Sequence, residues 1–199
     1  NCPDFVDTML KAGSVIPTAP IGGMPFLHLA IRNNVHSLVE TMLPSADLTA
    51  VDSMGNNFVA VAARSADEKM VSLVLKHATV EQINAVNSKN DSVLEHATFN
   101  TPAVVRLLLD AKADINRSVG QPILFKATIK GDTIPEGMLQ TLVEAGADID
   151  ARGNKGDTAL HFAAFRGLKG IVNTLISLKA DVNSLNGRGL TPLVATLSK

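Results

Sequence analysis

The sequence predicts an all-α solenoid built from stacked helix pairs. Three observations carry that prediction. An apolar residue recurs at Leu27, Val59, Leu94, Leu124, Leu160 and Leu193, in steps of 32, 35, 30, 36 and 33 residues. An alanine follows three places later in the first five copies, Ala30, Ala62, Ala97, Ala127 and Ala163, and two places later in the last, Ala195. A second apolar segment with helical spacing then follows, as in Leu38, Val39, Met42, Leu43 and again in Met70, Val71, Val74, Leu75. A supersecondary unit that returns at a near-constant period marks a repeat array, in which each unit buries its apolar face against its neighbours.

Each element of the unit has a physical justification. The head is clearest in Thr158-Ala159-Leu160-His161-Phe162-Ala163-Ala164 and in Thr191-Pro192-Leu193-Val194-Ala195, with a more diverged copy at Pro25-Phe26-Leu27-His28-Leu29-Ala30. Thr158 and Thr191 are N-cap residues whose hydroxyls accept a first-turn amide hydrogen. Pro192 follows at the first helical position, where its missing N–H costs nothing. The recurrent alanine lets a neighbouring helix approach closely. Later copies of the second helix are Val104, Val105, Leu107, Leu108 and Ile171, Val172, Leu175, Ile176. Each exits through Ala113-Asp114-Ile115-Asn116, Ala147-Asp148-Ile149-Asp150 or Ala180-Asp181-Val182-Asn183. Gly146 and Gly156 suit turn positions with positive φ. The irregular steps fall in connections: a finger shortened between Asn116 and Gly120, a loop lengthened over residues 131–137, and a longer descent through Val80-Glu81-Gln82-Ile83-Asn84.

A period near 33 headed by Thr-Pro-Leu-His-x-Ala resembles the ankyrin repeat. The resemblance covers nearly the whole chain, most clearly residues 89–117 and 153–199. It implies helix-turn-helix pairs joined by β-hairpin fingers, about five full repeats plus partial ends. As one domain over 1–199, the repeats run about 21–52, 53–88, 89–117, 118–152 and 153–186, with partial repeats at 1–20 and 187–199. Residues 5–16 read as a second helix lacking its first, and the chain stops at Lys199 soon after a first helix begins. That favours a segment of a longer protein. Irregular repeats with an inserted segment also resemble ankyrin domains of secreted bacterial effectors.

Composition narrows the function classes. The chain is 46% apolar with no Trp or Tyr and seven Phe, so its core is aliphatic. A net charge of -1 without a long basic run argues against general nucleic-acid binding. The single Cys2 excludes an internal disulfide and a cysteine zinc site. No apolar run reaches spanning length, and residues 1–20 lack a signal-peptide pattern. The sequons at Asn90 and Asn116 therefore read as chance. The expected setting is cytoplasmic, or the host cytosol for a secreted effector.

No catalytic or metal-binding set emerges, so neither an enzyme nor a cofactor is expected. No two histidines lie four apart, which removes helical metal ligation. His28 and His161 occupy the His place of the ankyrin head, where the resemblance implies a ring bonded to neighbouring backbone. Gly22-Gly23 lacks the glycine spacing and lysine of a phosphate loop. Asp148 and Asp150 repeat a place held by Asp114/Asn116 and Asp181/Asn183, which points to turn chemistry. Asn116 and Asn183 each follow Leu by eight and Asp by two residues. That resembles the pattern of ankyrin asparagines hydroxylated by an oxygenase; absence of an added oxygen on both peptides after exposure to a eukaryotic cytosol rejects it.

Family members bind proteins on a concave face of finger tips and first helices. Matching this chain to the pattern places Met24, Met54, Asn56, Lys89, Asp91, Gln121, Lys155, Asp157 and Arg188 on the fingers. It places Arg32, Arg64, Phe99, Ile129, Lys130, Phe165 and Arg166 on the first helices. Phe99, Phe165, Ile129 and Met54 offer apolar anchors; Arg32, Arg64, Lys130 and Arg166 form a cationic track. Aromatic residues and Arg dominate binding hot spots. The expectation is a monomeric protein-interaction module that inserts in no membrane. The alternative is the segment of a larger multidomain enzyme or effector that recruits its substrate or host target.

Overall fold

A computed structural model describes residues 8–9, 12–17, 20–117, 120–153 and 155–197. The chain divides into two compact units, Asn1–Ala113 and Asp114–Lys199. The first contains α1 (Phe26–Arg32), α2 (His36–Met42), α3 (Phe58–Ser65), α4 (Glu68–Leu75), α5 (Val80–Ile83), α6 (Val93–Ala97) and α7 (Pro102–Asp110). The second contains α8 (Ile123–Ile129), a 3-10 turn (Gly131–Thr133), α9 (Met138–Glu144), α10 (Ala159–Arg166), α11 (Lys169–Ser177) and α12 (Pro192–Ala195). This is the all-α ankyrin-repeat solenoid that the repeat implies. The fingers carry less strand than expected: among the described residues the only β pairing is two isolated bridges, Ile21–Met24 and Val86–Ser92.

The helices begin where capping chemistry sits. Asn57, Asp67, Ser92, Thr101, Thr158 and Thr191 each accept a first-turn amide hydrogen through the side chain. Pro102 and Pro192 stand at the first helical turn. Three of the second helices, α7, α9 and α11, end in a shared Schellman geometry. Ala113 N donates to Leu108 O, Ala147 N to Leu142 O and Ala180 N to Leu175 O, at 2.9, 3.0 and 3.0 Å. The residue before each alanine is left-handed: Lys112, Gly146 and Lys179 at φ 73°, 93° and 73°. Gly146 fits the expectation; the two lysines hold the same conformation against the ordinary preference for glycine.

Stacking follows the recurrent alanine. In the first unit α3 packs between α1 and α6; in the second α10 packs between α8 and α12. Ala62, Ala97, Ala127 and Ala163 are fully buried on these contacts. Five of the six recurrent apolar residues are buried with them, but Leu193 on α12 is 74% exposed.

The Val80–Asn84 segment is more ordered than a lengthened loop. It forms the one-turn helix α5, closed by a capping box between Thr79 and Gln82. Gln82 Nε2 also donates to Leu48 O at 2.8 Å, and Asn57 Nδ2 donates to Gln82 O at 2.8 Å. The insertion therefore ties two neighbouring descents together. The longer connection after α8 becomes the 3-10 turn and a left-handed Gly137, φ 74°. Of the helix and exit expected at 5–16, residues 8–9 are helical and 12–13 form a turn, while 5–7 and 10–11 lie outside the described residues.

Candidate functional site

The fingers are built on a repeated turn. Asp52, Asn87 and Asn186 each use Oδ1 to accept from the amides two and four residues ahead, at 2.8–3.1 Å. The backbone closes the same loop, with Asp52 N donating to Asn56 O, Asn87 N to Asp91 O and Asn186 N to Leu190 O. A left-handed residue sits at the fourth place: Gly55, Asn90 or Gly189. The turn at 153–157 has Gly153 where these three have Asx. A Cβ there would collide with the Gln121 carboxamide, which occupies the space the missing side chain leaves.

The exits into the fingers confirm turn chemistry at the Asp places. Asp114, Asp148 and Asp181 each accept from the amide two residues on, at 2.9, 3.0 and 2.9 Å. Asp47 does the same with Thr49, a fourth copy that Ala46-Asp47-Leu48-Thr49 disguises by ending in Thr. Asn116 and Asn183 are exposed beside these turns. No group of three or more His, Cys, Asp or Glu among the described residues could hold a metal.

The head histidines bond the next finger. His28 Nε2 lies 3.2 Å from Asn56 O, and His161 Nε2 lies 2.9 Å from Leu190 O. A carbonyl only accepts, so both Nε2 atoms carry hydrogen. His161 Nδ1 then accepts from Thr158 N, whereas His28 Nδ1 is buried without a partner. His28 therefore has nowhere to place a second proton. Burial holds its pKa below the ordinary imidazole value, outweighing the Asn56 carbonyl and the Asp52 charge, which raise it. For Asp52, burial raises the pKa, but the Asn56 side chain, the Asn56 and Met54 amides and the His28 ring together bring it below the usual carboxylate value.

These shifts have a definite sign. A histidine whose pKa is depressed on folding contributes stability that is complete above the unfolded value, about 6.5. That contribution is lost as pH falls from there toward the folded pKa. Asp52 stabilises above about pH 4, the unfolded carboxylate value, and its share is lost only below it. Urea midpoints are therefore expected to fall more steeply between about pH 6.5 and 5 for the native chain than for His28→Gln. Parallel slopes would reject the assignment to His28.

The binding residues expected from the family pattern divide by burial. In the first unit Arg32, Arg64 and Lys89 are exposed, Met24 and Asp91 are half-buried, and Met54 and Phe99 are 46% and 52% exposed. The Arg64 guanidinium stacks over the Phe99 ring at 4.3 Å, so two of these residues form one amphipathic platform. Asn56 is a correction. It is 5% exposed, its Nδ2 donates to Asp52 Oδ2 and its Oδ1 accepts from Asn87 Nδ2, both at 2.9 Å. Satisfying those groups between two fingers turns the side chain away from solvent.

In the second unit several expected residues converge. Gln121, Lys155, Asp157, Phe165 and Arg188 line a cleft of about 640 Å³ together with Phe125, Phe162 and His161. Phe125 and Phe162 meet at 5.2 Å with a 54° tilt. Arg166 stands over Phe162 at 5.8 Å. Ile129 and Lys130, at the end of α8, lie outside this lining. Phe125 and Phe162 were absent from the family-pattern set. The signal that could have found them is a Phe within two residues after the recurrent Leu in two successive heads: Phe125 at the His place after Leu124, and Phe162 one place further on after Leu160.

The geometry of finger turns, capped heads and alanine-stacked helices defines an ankyrin-repeat protein, and the comparisons agree. A family model of ankyrin repeats in three copies matches residues 27–119, and one of ankyrin repeats in many copies matches residues 135–176. The chain belongs to the ankyrin-repeat family and is a protein-interaction module. It is 32% identical to the p105 subunit of nuclear factor NF-kappa-B from Gallus gallus over 161 residues, covering 78% of this chain and 16% of that protein. It is 28% identical to the B-cell lymphoma 3 protein homolog of Mus musculus, covering 87% of this chain and 40% of that protein. The chain thus spans well under two thirds of these relatives. The crystal structure of the ankyrin repeat domain of Bcl-3, described as a unique member of the IkappaB protein family, superimposes with a TM-score of 0.75 at 27% identity, covering 97% of this chain and 86% of that one. A chain from the complex of a predatory endopeptidase of Bdellovibrio bacteriovorus with an immunity protein matches in fold, with a TM-score of 0.70 at 21% identity, covering 90% of this chain and 93% of that one. No helix among the described residues is long and apolar enough to cross a membrane.

Proposed function

We propose that the chain binds a partner protein through finger tips and first-helix outer surfaces, without chemistry of its own. The observation that carries this reading is the second-unit cleft, where finger residues Lys155 and Arg188 meet first-helix residues Phe162 and Phe165 over a half-exposed aromatic floor. The Arg64–Phe99 platform supports the same use of the first unit. Aromatic and Arg side chains are enriched among the residues that dominate binding energy. The net charge of -1 favours a protein over nucleic acid. The proposed form is a monomer.

Affinity capture with cross-linking mass spectrometry tests the reading. Replacing Arg64, Phe165 and Arg166 together by Ala should weaken capture of the main partner about tenfold or more, while Asn173→Ala on the exposed side of α11 should leave it unchanged. Equal capture by both would sink the proposal. The greater length of the relatives supports a second form of it. There the segment recruits a substrate, or a host target of a secreted effector, for chemistry carried elsewhere in the protein. A natural product no longer than this chain would exclude that form.

A further inference from the structure

The second-unit cleft has a charge pattern that the chain as a whole lacks. The protein's net charge is -1, yet Lys155 and Arg188 line this cleft and Arg166 stands beside its Phe162 wall. None of the three has an ion-pair partner among the described residues. The carboxylate in the lining, Asp157, is half-buried and already engaged, its Oδ1 accepting from Asn186 Nδ2 at 2.6 Å.

The fold ties together the two finger tips that bear Lys155 and Arg188. Gly187 N donates to Lys155 O at 3.0 Å, which ties the finger tip bearing Lys155 to the tip bearing Arg188. The approach depends on paired glycines. A Cβ on Gly156 would lie 2.5 Å from Gly187 N, and one on Gly187 would lie 2.6 Å from Lys155 O. Beneath the tips lie Phe125 and Phe162, with Phe165 37% exposed at the edge. The combination is an apolar floor with a cationic border.

We propose that this cleft takes an acidic segment of a partner protein. An aromatic or leucine side chain seats on the phenylalanine floor, and flanking Asp or Glu carboxylates meet Lys155, Arg188 and Arg166. The inference rests on the reading of finger tips and first helices as the binding face, and it adds the chemistry of what binds. A carboxylate gains charge-assisted hydrogen bonds from these cations, and its attraction to them grows where the apolar floor excludes water. A basic segment meets repulsion from all three.

The test is selection of a phage-displayed random-peptide library on the full chain, followed by fluorescence polarisation of the winning peptides. The winners should carry an aromatic residue or leucine flanked by Asp or Glu, and their binding should weaken as salt rises. The double variant Lys155→Glu, Arg188→Glu should weaken binding about tenfold or more, and Phe165→Ala comparably. Asn173→Ala on the exposed side of α11 should leave it unchanged. Circular dichroism checks that the exposed finger-tip variants remain folded. Winners that are basic or uncharged, no winners, indifference to the double variant, or equal competition by random single-stranded DNA would each overturn the proposal. Winners lost with Arg64→Glu alone would overturn it while the binding-face reading stands. The binding-face reading fails separately, when partner capture is indifferent to the Arg64, Phe165 and Arg166 replacements.

Discussion

Leu124→Ala should lower the unfolding free energy by about 2–5 kcal/mol, while Leu193→Ala, at the same place in the repeat, should change it by less than about 0.5 kcal/mol. Leu124 is 1% exposed on α8, which packs against α10 and α9. Removing its branched end deletes buried apolar surface and leaves a cavity that the capped, alanine-stacked helices can close only in part. Leu193 is 74% exposed on α12. Its side chain has little burial to lose. The motif is shared, so a motif-based account predicts similar costs; a packing account predicts the contrast. Urea titrations of both variants followed by far-ultraviolet circular dichroism decide between them. Because repeat arrays unfold in nearest-neighbour steps, the Leu124→Ala transition should also broaden. Equal losses at the two leucines would refute the packing account.

The contrast between those leucines shows what was legible in the sequence. A repeat period records which residues must be small or apolar for helices to stack, and Ala62, Ala97, Ala127 and Ala163 are all fully buried where the period places them. The caps at Thr158 and Thr191 and the Asp turns were equally legible, because each is a bond within a few residues of chain. The bonds of His28 and His161 to the next finger were legible only through the family resemblance, since they join residues 28 and 29 apart.

What escaped reading depends on partners a full repeat away. Asn56 occupies a place that the family pattern assigns to the surface, but its amide is held by Asp52 on one side and Asn87 on the other. A helical period carries no information about whether an Asn side chain points outward or folds back between two fingers. Lys112 and Lys179 adopt a left-handed turn that composition assigns to glycine, because the Schellman bonds and the buried alanine beyond them impose it. The second-unit cleft was half legible. Lys155, Phe165 and Arg188 came from the pattern, whereas Phe125 and Phe162 became visible only as one floor.

Asn87→Asp should cost about 2–4 kcal/mol although the turn it anchors survives. Asn87 has two separate tasks. Its Oδ1 accepts from the Lys89 and Asp91 amides, both at 2.9 Å, a task that Asp52 performs with a carboxylate in the preceding finger. Aspartate should therefore preserve the loop. Its Nδ2 donates to Asn56 Oδ1 at 2.9 Å and contacts His96 Nε2 at 3.3 Å. A carboxylate cannot donate either bond and places negative charge against the Asn56 oxygen. Asn56 cannot relieve this by rotating its amide, because Nδ2 would then abandon Asp52 Oδ2 and bring oxygen against oxygen there. The buried Asn56 acceptor thus loses its donor, which is the expensive case for a hydrogen bond. Protonating the introduced carboxyl restores one donor, so the loss relative to native should shrink below about pH 4. Asn87→Ala supplies no such donor, and its penalty should persist at that pH. Denaturant titrations of the three proteins at neutral and acid pH test the argument, and an Asn87→Asp penalty that grows on acidification would break it.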